Sequence, residues 1–289
     1  MPHEPVAPAH APHHHGTGAA IAGRLSGVIE LRAGSAVCTI SPDDGGRVGS
    51  LRIGQQQILV ERSDVAEATE GGPDPMSWGS FPMAPWAGRV RHGRFVFRGT
   101  RYELPINLAP HSIHGTVFTR AWHVDLVEDN TSATLSCDLG LHWPFGGLAM
   151  QTISLGPDRL DCMLAVTSAA NAMPVTIGWH PWFVEPRNAE LYFARMYRRD
   201  SEGIPTGVLV PPPPGPWDDC FVEPAVPITV RYETCTLTVT SDCDHWVVYD
   251  QPRHATCIEP QSGPPDAFNL KPDVLEPGKT LQRTMTIRW

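Results

Sequence analysis

The polar residues that could do chemistry are gathered in five segments, several rich in proline and aromatic residues. Arg89 stands in WGSFPMAPWAGRVRHG, His111 and His114 in PHSIHG, His180 in GWHPWF, Asp218 and Asp219 in GPWDDCF, and Glu259 in CIEPQSGPPDAFN. A carboxylate and an imidazole are side chains suited to trading protons near neutrality, while an arginine fork and an aspartate supply directional donors and acceptors. Trp86, Trp182 and Phe183 offer flat apolar faces with little conformational entropy to lose on contact. Together these residues describe a pocket for a polyhydroxylated ring. His111 and His114 are three apart in a turn and not on a helix, so their spacing is no sign of a metal site. The seven cysteines, at 38, 137, 162, 220, 235, 243 and 257, are odd in number and include no C-x-x-C pair. They read as reduced, mostly buried small hydrophobes, neither a disulfide framework nor a zinc site.

The elements that must position these residues are strands. From Ser26 onward the apolar pattern has period two, as in SGVIELR, GRFVFRG and AWHVDLV, the alternation of a half-buried strand. AWHVDLVEDNTSATLSCDL predicts a hairpin turning at Asp129-Asn130, and RYETCTLTVTSD, HWVVYDQ and KTLQRTMTIRW continue the pattern with β-branched Thr and Val. No segment reads as a convincing amphipathic helix. The expected fold is therefore all-β, a large antiparallel β-sandwich whose site is built from loops beside strand ends. Residues 1–25, rich in Pro, Ala, His and Gly, are expected to form a disordered arm, with His13, His14 and His15 solvated. Residues 26–289 are expected to form one domain, and the run Pro211 to Pro214 reads as a stiff loop within it, not a linker.

Composition narrows the partners. The 289 residues include 26 Gly and 30 Pro, too much punctuation for a helical bundle or coiled coil. Hydrophobic residues at 41% and charged residues at 18% exclude a disordered chain. A net charge of −9 repels polyanions, so no nucleic-acid partner is expected. There is no long apolar run and no secretory signal pattern, so the expected protein is soluble and cytoplasmic, with no membrane partner and either monomeric or homodimeric.

In order along the chain, FPMAPWAGR, GRFVFRGTRYELPIN, SIHG, GWHPWF, DDCF and EPQSG resemble the motifs of the aldose 1-epimerase family, the galactose mutarotases. The likeness runs from about Gly27 to the C-terminus. It implies a galactose mutarotase-like supersandwich and an isomerase that interconverts the α- and β-anomers of an aldose, with no cofactor and no metal. The anomeric O1 hydroxyl loses a proton, the ring oxygen O5 gains one, the C1–O5 bond opens, and rotation about C1–C2 precedes reclosure.

The resemblance assigns Glu259 as the base at O1 and His180 as the acid at O5. It assigns His114 as a donor near O5, and Arg89 and Asp218 as partners of sugar hydroxyls. Asp219 takes the place of Asp218 if the loop register differs by one. By residue type alone, Glu259 reads as a strand-end glutamate bonded at the surface, His180 as a packed core residue and Arg89 as a surface arginine. Two departures stand out. The late motif has Ser262 where many members carry Thr, and PHSIHG lacks the Asn and second Gly that many members carry around the histidine, which bears on the choice of sugar. Two rival readings stay open: epimerisation of a hexose 6-phosphate, for which Arg89, Arg91, Arg94, Arg98 and Arg101 are dense in one segment, and a non-catalytic sugar-binding protein.

Overall fold

A computed structural model describes residues 27–65 and 74–289. The expected N-terminal arm and His13–His15 lie outside the described residues. Alternation becomes strand as expected. Leu148–Leu155 and Ser132–Asp138 each bury every second side chain, which is what a sheet with one face on a core requires. The predicted hairpin forms from His123–Glu128 and Ser132–Asp138, with Asp129 and Asn130 in the turn at φ 48° and 53°, a conformation these two residue types tolerate better than most.

Among the described residues the strands form two large antiparallel sheets. The larger runs in the order Ile29–Ala33, Ala36–Ser41, Arg47–Ile53, Ser80–Met83, Gly178–Val184, Ala255–Gln261, His245–Tyr249, Asp218–Pro224, Phe193–Arg199 and Pro205–Val210, with Gln56–Gln57 beside the third. The smaller runs His123–Glu128, Ser132–Asp138, Leu148–Leu155, Arg159–Thr167, Thr280–Arg288, Thr236–Ser241, Ile228–Arg231 and Asn188–Glu190. One apolar core lies between them, taking Leu31, Leu51, Phe183 and Ile258 from the larger sheet and Leu135, Ile153, Leu164 and Ile287 from the smaller. The fold is the all-β antiparallel sandwich. Pro205–Val210 and Asp218–Pro224 flank the proline run and both pair with Phe193–Arg199, so one sheet continues across it. The α-helix among the described residues is the short Ala267–Leu270. Among the described residues no helix is long and apolar enough to cross a membrane.

The middle of the larger sheet departs from simple alternation. Ala255–Gln261 is buried at all its positions and Gly178–Val184 at all but the last. One face of these strands gives Trp179, Phe183 and Ile258 to the main core. The opposite face carries Trp182 and Cys257 into a second apolar cluster with Trp78, Phe81, Met83 and Phe118. The polar site residues lie on that opposite face.

Candidate active site

Strand register builds the centre of the site. Gly178 pairs with Gln261 and Trp182 with Cys257, which sets His180 opposite Glu259 on the same face. Their side chains meet, His180 Nε2 to Glu259 Oε1, at 3.2 Å, and both are buried, at 6% and 2% exposure. On the other flank His180 pairs with Phe81, whose ring stacks on the imidazole at 4.7 Å, while Trp182 stacks on it at 5.4 Å. Gln261, two residues from Glu259 and so on the same face, donates from Nε2 to Glu259 Oε2 at 3.1 Å. The imidazole and the carboxylate thus have fixed orientations.

His114 completes the inner wall. Its ring meets that of His180 edge-on at 5.0 Å, and it sits in the left-handed region at φ 62°. Asn107 holds the turn, donating to the Ile113 carbonyl at 3.0 Å and accepting from its N–H at 2.8 Å. At Gly115, φ is 82° and a Cβ would stand 1.9 Å from the Ala84 carbonyl oxygen, so only glycine permits this close approach. The Nδ1 atoms of His114 and His180 are both buried without a hydrogen-bond partner.

Arg89 and Asp218 form the outer wall as a pair. Arg89 Nη2 lies 3.2 Å from Asp218 Oδ2, and Arg199 Nη1 lies 3.3 Å from the same oxygen. Asp219 points to the other face of its strand, as alternation demands, and is held there by Arg199 Nε at 2.7 Å. Asp218 is therefore the aspartate at the site. Arg89, His114, His180, Asp218 and Glu259 all line one cavity of about 320 Å³, together with Trp182, Tyr249, Gln251 and Gln261.

Burial dominates the electrostatics. It pushes the Glu259 carboxyl well above its ordinary range, reinforced by the Asp218 charge and opposed by the Gln261 hydrogen bond and Arg89. The same burial pushes His180 down to about 3, with Arg47 as a further depressing charge. His114 is also held well below its ordinary value by burial, then by His180 and Arg89. A raised carboxylate is a stronger base and a lowered imidazolium a stronger acid. At 3.2 Å the pair can hold one proton between them, with burial favouring the neutral carboxyl and neutral imidazole.

Two expectations need correction. His180 and Glu259 lie inside central strands, not in loops at strand ends. Pro181 and Pro260 suggested loops, yet proline is tolerated in a strand wherever its position needs no ladder N–H. Of the three aromatics, only Trp182 lines the cavity. Phe183 alternates into the main core, and Trp86 packs against Trp143 at 5.7 Å and Phe268 at 6.5 Å. His111 does not line the cavity and accepts at Nδ1 from the His92 N–H at 3.2 Å.

Sequence reasoning missed Gln261, Arg199, Phe81 and Arg47. Gln261 and Phe81 carried a signal, since the first shares Glu259's period-two face and the second opens the FPM segment. Arg199 and Arg47 carried none. Arg47, 1% exposed, donates to the backbone carbonyls of Asp44, Pro75, Trp78 and Phe118 at 2.7 to 3.1 Å. Its guanidinium lies 4.3 Å from the Trp78 ring and 5.2 Å from the Phe81 ring. It therefore braces the apolar wall behind His180.

Residues 27–233 match the family profile described as Aldose 1-epimerase. The chain belongs to the aldose 1-epimerase family. The matched span contains Arg89, His114, His180 and Asp218, while Glu259 lies beyond it. Among curated proteins, the chain is 32% identical over 107 residues to an uncharacterised Escherichia coli K12 protein, YphB. That stretch spans 36% of this chain and 36% of the relative. Among solved structures, it resembles a galactose mutarotase-like protein from Clostridium acetobutylicum at TM-score 0.78 and 17% identity, covering 90% of this chain and 94% of that one. It also resembles a GalM/aldose epimerase homologue from C. elegans at TM-score 0.76 and 17% identity, covering 91% and 98%. At these identities the structural likeness speaks for the fold. Family and fold together support a mutarotase-like carbohydrate epimerase.

Proposed function

We propose that this member of the aldose 1-epimerase family interconverts the α- and β-anomers of a neutral hexose such as galactose or glucose, with Glu259 as base at O1 and His180 as acid at O5. The observation that carries this reading is the 3.2 Å contact between His180 Nε2 and Glu259 Oε1 at the wall of a cavity sized for one small molecule. O1 and O5 are both bonded to C1, so a base and an acid side by side match two oxygens side by side. In the ionic form of the pair, Glu259 takes the O1 proton while His180 gives its proton to O5. The electrons of the O1–H bond become the second C1–O1 bond, and C1–O5 breaks to give the open aldehyde. The pair is left as neutral carboxyl and neutral imidazole, and the reverse transfers on reclosure restore the ionic form. Rotation about C1–C2 and the reverse transfers close the other anomer.

His114 would donate toward O5, and the Arg89–Asp218 pair would offer donors and an acceptor to the remaining hydroxyls. The ion pairs favour a neutral sugar over a hexose 6-phosphate. Arg89 is matched by Asp218, Arg91 by Asp200 and Glu202, Arg94 by Glu103 and Arg98 by Glu276, which leaves only Arg101 of the five unmatched among the described residues, too little free positive charge for a dianion. The presence of both Glu259 and His180 favours turnover over silent binding.

Polarimetry on freshly dissolved α-D-galactose and α-D-glucose tests the proposal. The protein should accelerate the approach to the equilibrium rotation. Glu259→Gln should lower kcat by about 10²- to 10⁴-fold with the fold intact by circular dichroism, and His180→Gln should lower kcat far more than it raises KM. Undiminished turnover in Glu259→Gln would remove it as the base, and an effect of His180→Gln on KM alone would make His180 a binding residue.

A further inference from the structure

Behind the acid–base pair lies a thiol that the proposed reaction does not use. Cys257 is two residues before Glu259 on the same strand, hence on the same face, and it is fully buried. A ligand atom from each of His180, Cys257 and Glu259 lies within 4.8 Å of the other two. We propose that these three residues form an inhibitory site for a thiophilic divalent cation, zinc or cadmium, which displaces the sugar by occupying the acid and the base together.

The geometry matches the donor set. Ligands of a tetrahedral zinc held at ~2.0 to 2.1 Å stand ~3.3 Å apart, and His180 Nε2 and Glu259 Oε1 stand at 3.2 Å. A zinc–thiolate bond of ~2.3 Å puts sulfur ~3.5 Å from the other ligands, so the 4.8 Å limit leaves a closure of ~1.3 Å at most for side-chain rotation. Gln261 bonds Oε2 of Glu259, which orients the carboxylate and leaves Oε1 toward the metal, the supporting contact that ligating carboxylates generally need. His180 and Glu259 line the reaction cavity, so the fourth coordination position faces it, and a cation bound there meets water or sugar. One imidazole, one thiolate and one carboxylate favour zinc over magnesium or calcium, which take oxygen ligands. The metal site stands on its own geometry; only its inhibitory consequence rests on the mutarotase reading.

The test uses the full-length protein carrying His13→Ala, His14→Ala and His15→Ala, which removes the histidine run as a competing ligand. Cobalt(II) is added as a spectroscopic probe at one fixed pH. The expected result is an intense near-ultraviolet thiolate-to-cobalt band and tetrahedral visible bands saturating at one equivalent, displaced by zinc. Cys257→Ser, shown to be folded by circular dichroism, should lose the ultraviolet band and bind zinc at least ~10-fold more weakly by calorimetry. Mutarotation by the parent should fall on adding zinc and recover with a chelator, magnesium should have no effect, and zinc inhibition relative to each protein's own metal-free rate should be much weaker in Cys257→Ser. Absence of the thiolate band, or its persistence in Cys257→Ser, would overturn the site. A thiolate band without zinc inhibition would overturn the inhibitory role. Because the cobalt spectrum needs no turnover, it separates failure of the metal site from failure of the proposed reaction.

Discussion

At the scale of single residues, desolvation raises the Glu259 carboxyl and lowers the His180 imidazole, so burial favours the neutral form of both. For the proposed reaction the ionic pair is therefore the less populated form: its carboxylate is a stronger base and its imidazolium a stronger acid than exposed counterparts, and forming it costs the desolvation that burial imposes. His114 shows the linked cost in stability. Its folded pKa lies below its unfolded value of about 6.5, so below that pH the unfolded chain binds the extra proton and the native state does not. Its contribution is complete above the unfolded value and is lost as pH falls toward the folded one. Urea midpoints at pH 7.5 and pH 5 should therefore fall with acid in the parent, and the drop should be smaller in His114→Asn. An equal drop in both would mean that His114 titrates as an exposed histidine.

At the scale of elements, the site is made by adjacent strands and braced from behind. The larger sheet sets His180 between Phe81 and Glu259, and the turn at His114 is fixed by Asn107 and by the close approach of Gly115 to Ala84. Arg47 ties the strand it begins to the backbone at Asp44, Pro75, Trp78 and Phe118. Arg47→Met keeps much of the volume but strips these carbonyls of their donor, each unmet acceptor costing about 1–3 kcal/mol where water cannot reach it. The expected loss is ~3 kcal/mol or more in unfolding free energy by urea denaturation, with a lower kcat as the wall behind His180 loosens. A variant as stable as the parent would show that water or rearrangement satisfies those carbonyls. The strand elements themselves were legible wherever one face met the core and the other solvent, as in Ser132–Asp138. They were hardest to read in Gly178–Val184 and Ala255–Gln261, because strands buried on both faces lose the period-two signal and here also carry proline.

At the scale of the whole molecule, the net charge of −9 and the pairing of Arg89, Arg91, Arg94 and Arg98 with carboxylates work together against anionic substrates. Glucose 6-phosphate should show a lower kcat/KM than glucose in the same polarimetric assay. The gap should narrow as ionic strength rises from about 0.01 to 0.15 M, because salt shortens the reach of surface charge. A phosphate ester preferred at either ionic strength would overturn the neutral-sugar reading. The sequence by itself determined the β class, the hairpin at Asp129-Asn130 and the five residue types in their motifs, because turn chemistry and side-chain alternation are local properties of the chain. Only the tertiary structure decided that Arg89 meets Asp218 across 129 residues, that Asp218 and not Asp219 lines the cavity, that Cys257 lies beside His180 and Glu259, and that Glu259 and His180 leave water together. Those outcomes depend on which distant strands become neighbours and how deeply they are covered, and burial of that kind arises only once both sheets have assembled.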